Sequence, residues 1–190
     1  MSSPVSIYVP TDSPAVQFAV NALTASLRDR GREVHHRDVS QFSGDETGAS
    51  VTVIDSPEQA DTLGEVETGV DELDEEGFRI QLKIDNGEPS VLVAGGDETG
   101  AMYGLLDVDE QLSLGRNLDT IADRMVTRDV SFRAVKFNLP WSPYRAGEHN
   151  DLQLDTCRDL DFWEAFLDMM ARNRFNVLSL WNLHPFAFMV

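Results

Sequence analysis

One cysteine, Cys157, stands in the 190 residues, so no disulfide can form within the chain. A cross-linked secreted scaffold is thereby excluded, and a reducing compartment is expected. Lysine is nearly as scarce: Lys83 and Lys136 are the only two, and the remaining 13 basic residues are arginines. Against 15 basic side chains stand 33 carboxylates, a formal net charge of -18. Such a balance argues against nucleic acid and anionic membranes as partners, because both reward Lys and Arg. No run approaches the ~18 apolar residues that would cross a bilayer. Met1 to Pro10 carries neither a basic start nor a long apolar segment, so a soluble, cytoplasmic protein is expected. Only four histidines occur and no Cys/His cluster has ligand spacing, so neither a metal nor a cofactor is expected.

What remains is enough to fold. At 42% hydrophobic the chain can form a packed core, and its length suits one full domain or one domain plus part of another. Asp outnumbers Glu 20 to 13. An Asp-rich, lysine-poor, arginine-retaining surface resembles that of proteins from salt-accumulating halophiles. There the Debye length falls to about 3 Å or less and self-repulsion is screened.

Along the chain, Val5 to Val9 is an apolar strand closed by Pro10. Ser13-Pro14 then has the form of an N-cap followed by proline at the first helical position. Val16, Val20, Leu23 and Leu27 follow at helical spacing, with Gly31 as the stop. Arg32 to Val39 reads as a second, polar strand and Ser50 to Ile54 as a third, so an α/β layer arrangement is favoured. Asp55 to Glu76 holds ten carboxylates and no basic residue. It lacks the ligand register of a calcium loop and reads as a solvated face with loops.

Phe78 to Ile84 alternates, with Phe78, Ile80, Leu82 and Ile84 on one side. Asn86-Gly87 marks a tight hairpin, and Ser90 to Ala94 is the return strand. Gly95-Gly96-Asp97-Glu98-Thr99-Gly100 leads into a helix with Ala101, Leu105, Val108 and Leu112 on one face. A phosphate-binding reading fails here. The GxGxxG spacing and the Walker lysine are missing, and Asp97 and Glu98 would repel a phosphate. Carboxylates at that point cap the helix instead.

Composition changes near residue 130. All three tryptophans and seven of the ten phenylalanines lie beyond it. The expected division is residues 1–125 and 130–190, with 117–129 a mixed helix or linker. Phe132 to Leu139 is a strand ending in a stiff loop with Trp141 and Arg145, and 147–155 is a polar excursion. Asp161 with Glu164 reads as a capping pair opening a helix. Its broad apolar face of Phe162, Trp163, Phe166, Leu167, Met169 and Met170 implies burial on more than one side. Asn176 to Leu180 is the next strand, ending in Trp181-Asn182-Leu183-His184-Pro185.

The stretches Phe132-Arg133-Ala134-Val135-Lys136-Phe137-Asn138-Leu139-Pro140 and Asp161 through Phe186 resemble the first strand, helix and second strand of a glycoside hydrolase barrel. The groups they resemble are family 20-like hydrolases and α-glucuronidase-like proteins. Those carry a small α/β domain ahead of the barrel, described as zincin-like although it binds no metal. Its last strand and helix are similar to Val91 to Leu112 here, including Gly95-Gly96 and Gly100-Ala101-Met102-Tyr103-Gly104. The resemblance implies an α/β fold in which a small N-terminal domain precedes an incomplete TIM barrel. A barrel needs about 250 residues, so the chain is expected to be the N-terminal part of a glycosidase, a split gene product or a truncated frame.

Glycoside hydrolysis uses two carboxyl groups, about 5–5.5 Å apart for retention and roughly 6.5–9.5 Å for inversion. The family's catalytic carboxylates lie on later strands, so none is assigned here and the chain alone is expected to be inactive. The resemblance implies substrate binding by Asn138, Arg145, Asn182 and His184, which would hold sugar hydroxyls or a uronate carboxylate. Trp141 or Trp181 would stack on the sugar face, and Arg133 is an alternative to Arg145 as the uronate partner. The competing expectation is a non-catalytic interaction or carbohydrate-binding module, pairing with a separately encoded barrel remainder through its apolar C-terminal edge.

Overall fold

The computed structural model describes residues 3–10, 13–44, 48–63, 66–139 and 148–181. Its contacts divide the chain into two units, Met1–Asp129 and Val130–Val190.

The first unit is built on a six-stranded sheet of order β2-β1-β3-β5-β4-β6. The strands are β1 (Val5–Val9), β2 (Val34–Asp38), β3 (Ala49–Ile54), β4 (Phe78–Asp85), β5 (Glu88–Gly95) and β6 (Arg124–Val126). The first three and β5 run parallel, while β4 is antiparallel to both β5 and β6. Helices α1 (Pro14–Asp29) and α3 (Glu98–Ser113) pack together over one face of the sheet. Because successive strand residues face opposite sides, Val5, Ile7, Val51, Val53, Phe78, Ile80, Val91 and Val93 meet those helices, and all are fully buried.

Local chemistry explains where the elements begin and end. The Ser13 hydroxyl accepts from Val16 N at 3.3 Å with Pro14 at the helix start, and the α1 positions picked out by spacing, Val16, Val20, Leu23 and Leu27, are all buried. Asn86 and Gly87 have φ of 51° and 85°, the double left-handed turn that a two-residue hairpin requires. Asp97 caps α3, accepting from Gly100 N at 2.7 Å and from Glu76 N at 3.2 Å. Glycine is needed at position 100 because a Cβ there would lie 2.1 Å from the Gly77 carbonyl oxygen. The acidic glycine turn is thus a cap packed tightly against the 74–77 loop.

The opposite face of the sheet differs from expectation. The 55–76 stretch is not merely a solvated face: α2 (Pro57–Thr62) and a 3-10 turn at Val70–Glu72 lie within it. Leu63 and Val70 are buried with Val39, Ile54, Leu92 and Ala94 in a second, smaller cluster. Scattered apolar residues among many carboxylates conceal this in the sequence. The 117–129 linker likewise contains β6, whose three residues pair with Phe78 to Ile80. Arg124 of β6 reaches the buried Asp107 carboxylate at 2.9 Å and so ties the strand to α3. Ile84, expected on the apolar side of β4, is 51% exposed, since β6 pairs with β4 only as far as Ile80 and little covers the strand beyond it.

Among its described residues, the second unit is an open, unclosed two-stranded parallel sheet of β7 (Ala134–Asn138) and β8 (Val177–Trp181), joined through α4 (Glu148–Arg158) and α5 (Leu160–Arg172). Three readings of this region are corrected. Most of the expected polar excursion is helical. Residues 148–158 contain no Pro or Gly, and the chain ends that helix with Arg158 in its last turn. The cap of α5 is Asp159, which accepts from Asp161 N at 3.0 Å, so Asp161 lies inside the helix. Finally, α5 is not buried on several sides. Met170 is buried, but Leu167 is 49% and Met169 38% exposed, because the described strands of this unit offer one small sheet to pack against.

Candidate functional site

Strand period separates β7 and β8 into two faces. Phe137 of β7 packs against Phe162, Trp163 and Phe166 of α5, with ring centroids 5.0–5.9 Å apart. Val135 shares that side by alternation, as do Leu178 and Leu180 of β8. The other face carries Lys136 and Asn138 from β7 and Ser179 and Trp181 from β8. The in-register pairs Lys136↔Ser179 and Asn138↔Trp181 bring these four together. Leu139 N donates to the Trp181 carbonyl at 2.9 Å and extends the pairing past the strand ends.

Two of the expected sugar-binding residues, Asn138 and Trp181, therefore share one face at the C-terminal ends of parallel strands. That is where α/β barrels assemble their sites. Trp181 is 41% exposed. Lys136 was not singled out from the sequence, yet its ammonium lies 4.5 Å from the Trp181 ring centroid, a cation–π contact. Two signals could have found it: the alternation of Val135 and Phe137 with Lys136 and Asn138, and the rarity of lysine in this chain.

Arg133 sits elsewhere. It precedes β7, at the end of the strands opposite Asn138. Its guanidinium donates from Nε to the Arg174 carbonyl and from Nη1 to the Val130 carbonyl, both at 2.5 Å. Asn176 clamps the same end, with its amide oxygen accepting from Arg133 N at 3.0 Å and its Nδ2 donating to the Ser131 carbonyl at 2.9 Å. These bonds fix how the loop after α5 enters β8. Trp141, Arg145, Asn182 and His184 lie outside the described residues.

The Cys157 carbonyl accepts from Trp163 Nε1 at 2.9 Å, linking α4 to α5. Burial pushes the Cys157 thiol up from its ordinary value, which opposes thiolate formation. Among the described residues, no group of three or more His, Cys, Asp or Glu side chains is placed to hold a metal ion.

In the first unit, polar groups gather where β1, β3 and β5 end. Ser13 donates to Glu98 at 2.9 Å. Burial holds the Asp55 carboxyl above its usual range, and the nearby Glu98 and Asp97 add to the effect.

Comparison with known proteins decides the family. The pattern described as Glycosyl hydrolase family 67 N-terminus matches residues 1–107, more than half of the chain. The chain belongs to that family. It is thus a glycosidase-family N-terminal domain fused to further strands and helices. Among solved structures, it is similar to a GH138 enzyme targeting pectin rhamnogalacturonan II, with a TM-score of 0.68 and 23% identity. That similarity covers 97% of this chain and 19% of that one, so the chain spans about a fifth of the other's length, and the likeness is one of fold. Comparison with curated protein sequences returns no match. No helix among the described residues is long and apolar enough to cross a membrane.

Proposed function

We propose that this chain is the N-terminal part of a carbohydrate-active glycoside hydrolase acting on uronic-acid-containing glycans, with residues 134–181 opening its (β/α)8 barrel. The observation that carries this reading is the parallel β7–β8 pair following a family 67 N-terminal domain, with Asn138, Trp181 and Lys136 together at the strands' C-terminal ends. In this reading Trp181 stacks on a sugar face and Asn138 binds hydroxyls. Lys136 supplies a cation, which suits a uronate carboxylate, and Arg145, Asn182 and His184 remain candidate sugar-binding residues outside the described ones. Arg133 positions the strands from their far end. The two carboxyl groups that hydrolysis needs come from other barrel strands, so this chain binds sugar without cleaving it. The lysine-poor acidic surface and the single cysteine support a saline, reducing cytoplasm as the setting. An N-acetylhexosamine glycan, as in family 20-like enzymes, is the alternative substrate class.

Titration of the 190-residue chain in multimolar KCl with glucuronic acid and with N-acetylglucosamine, followed by tryptophan fluorescence, tests this. Glucuronic acid should perturb the emission and Trp181→Phe should abolish the response. A response to N-acetylglucosamine alone would move the substrate class, and none to either sugar would remove the subsite. Turnover of an aryl glucuronide by the chain would contradict the placement of the catalytic carboxylates elsewhere.

A second reading has its own observation. Leu160, Phe132, Leu167 and Trp181 are 74%, 67%, 49% and 41% exposed, an apolar complement fit for association with a separately encoded barrel remainder. Light scattering at the same salt tests it: a clean monomer counts against this reading.

A further inference from the structure

We infer that the first unit carries a glycan-binding cleft of its own, on the sheet face opposite α1 and α3, built for a neutral polyhydroxylated ligand. The inference does not rest on the barrel or on catalysis.

The register of the central strands places the groups. Ser50 of β3 lies beside Ser90 of β5, which lies beside Lys83 of β4, so three polar side chains cross the sheet in one row. The next row along is Thr52, Leu92 and Gln81. Farther along the same face, Ile54 and Ala94 disappear beneath the smaller apolar cluster. One half of the face is therefore covered and apolar. The other half borders a cavity of about 600 Å³, within the range of roughly 300–1,000 Å³ typical of small-molecule sites.

A strand face that needed only a lid would carry apolar residues. This one carries hydroxyls in its interior. Ser50 is 1% and Thr52 2% exposed. Ser50 donates to Ser90 Oγ at 3.0 Å, which leaves further donor and acceptor capacity on Ser90. The Thr52 hydroxyl is buried with no hydrogen-bond partner among the described residues. Phe42, Leu63 and Leu92 supply apolar surface on the same cavity. Sugar rings present that combination: a C–H face for an apolar wall and hydroxyls at the edge for paired donors and acceptors.

Charge selects among ligands. Glu67, Asp85, Glu88 and Asp123 also line the cavity, and Lys83 is the one basic side chain among its described residues, so an anionic sugar inside it meets carboxylates at contact distance, where salt screens least. A bare cation is not favoured either. Both Glu88 carboxylate oxygens accept from Ser3 Oγ, at 2.9 and 2.8 Å, and Asp123 accepts from Leu82 N at 2.7 Å. Among the described residues, no three carboxylates are grouped to hold a metal ion. A neutral oligosaccharide segment remains.

The test is titration of the full chain in multimolar KCl with xylotetraose, cellotetraose, tri-galacturonic acid and CaCl2 by amide-resolved NMR. At least one neutral tetrasaccharide should bind saturably and shift amides at 50–52, 81–83 and 90–92. The double variant Ser50→Ala/Ser90→Ala should weaken that binding by at least about fivefold, the loss of one net hydrogen bond. Lys83→Met, at an exposed position of β4, should weaken it as well. Binding confined to residues 134–181, unchanged affinity in both variants, tighter binding of tri-galacturonic acid or Ca2+, or no neutral binding at all would overturn the inference.

Discussion

In residues 1–129, Phe78, Ile80, Leu105 and Leu112 are wholly withdrawn from solvent; in residues 130–190, apolar side chains of similar size, Leu160 and Phe132, are 74% and 67% exposed. The difference lies in the number of layers available. Six strands with α1 and α3 on one face, and short helices on part of the other, enclose a continuous core. In the described residues of the second unit, two parallel strands and the helices joining them leave an amphipathic helix and two strand edges without enough surface to cover them. A parallel pair is stable in a larger sheet closed on both faces. Among the described residues, the second unit is thus an open sheet, whereas the first encloses its core.

Matched truncations give the largest test of this contrast. Phe78→Ala should cost about 3–5 kcal/mol by chemical denaturation, the usual penalty for deleting a buried aromatic. Phe137→Ala, in the half-buried ring cluster against α5, should cost well under half of that. Equal penalties would erase the distinction between a closed and an open core.

Next in size is Asp107→Ala. Asp107 is 1% exposed, accepts from Gln111 Nε2 at 2.8 Å and faces Arg124 at 2.9 Å. Its removal should cost about 2–3 kcal/mol, at the low end for a broken ion pair because Arg124 is half exposed. The loss should appear first as faster exchange in β6.

Asp55→Asn should have the opposite sign. The folded-state pKa of Asp55 is raised by burial, Glu98 and Asp97, so the folded chain holds this proton more tightly than the unfolded one. The contribution to stability then falls as pH rises from the ordinary carboxylate value through the raised one. Removing the charge should raise Tm at pH 7, and the gain should vanish below about pH 3.9. A gain independent of pH would show that the effect is not the carboxylate's titration.

The smallest effect belongs to the open face. Lys136→Met removes a cation from the Trp181 ring at 4.5 Å and should cost about 0.5–1 kcal/mol. Its larger consequence should be loss of glucuronic acid binding, with little change in Tm. A stability loss as large as that of Phe78→Ala would mean that Lys136 is structural.

Much of the first unit was legible because its signals are local. Ser13-Pro14, Asn86-Gly87 and Asp97 each act within three or four residues, and the spacing of Val16, Val20, Leu23 and Leu27 needs no partner to be read. Leu63, Val70 and β6 were not legible. Each is a short apolar insertion among carboxylates, and its role is set by a sheet face whose composition comes from distant strands. Lys136 was missed for a related reason: alternation and the rarity of lysine mark it, but its placement against Trp181 comes from the β7–β8 register. The two-sided burial expected of α5 failed because a helix's pattern records the surface it can bury, not the surface available to it.

Hydrogen exchange on the 190-residue chain in multimolar KCl tests the central contrast most directly. Amides of β1, β3 and β5 should exchange only through global unfolding of the first unit, and those of β7 and β8 at least about 100-fold faster. Protection of β7 and β8 equal to that of β3 and β5 would show that residues 130–190 are already a closed, self-sufficient fold, and would contradict the account.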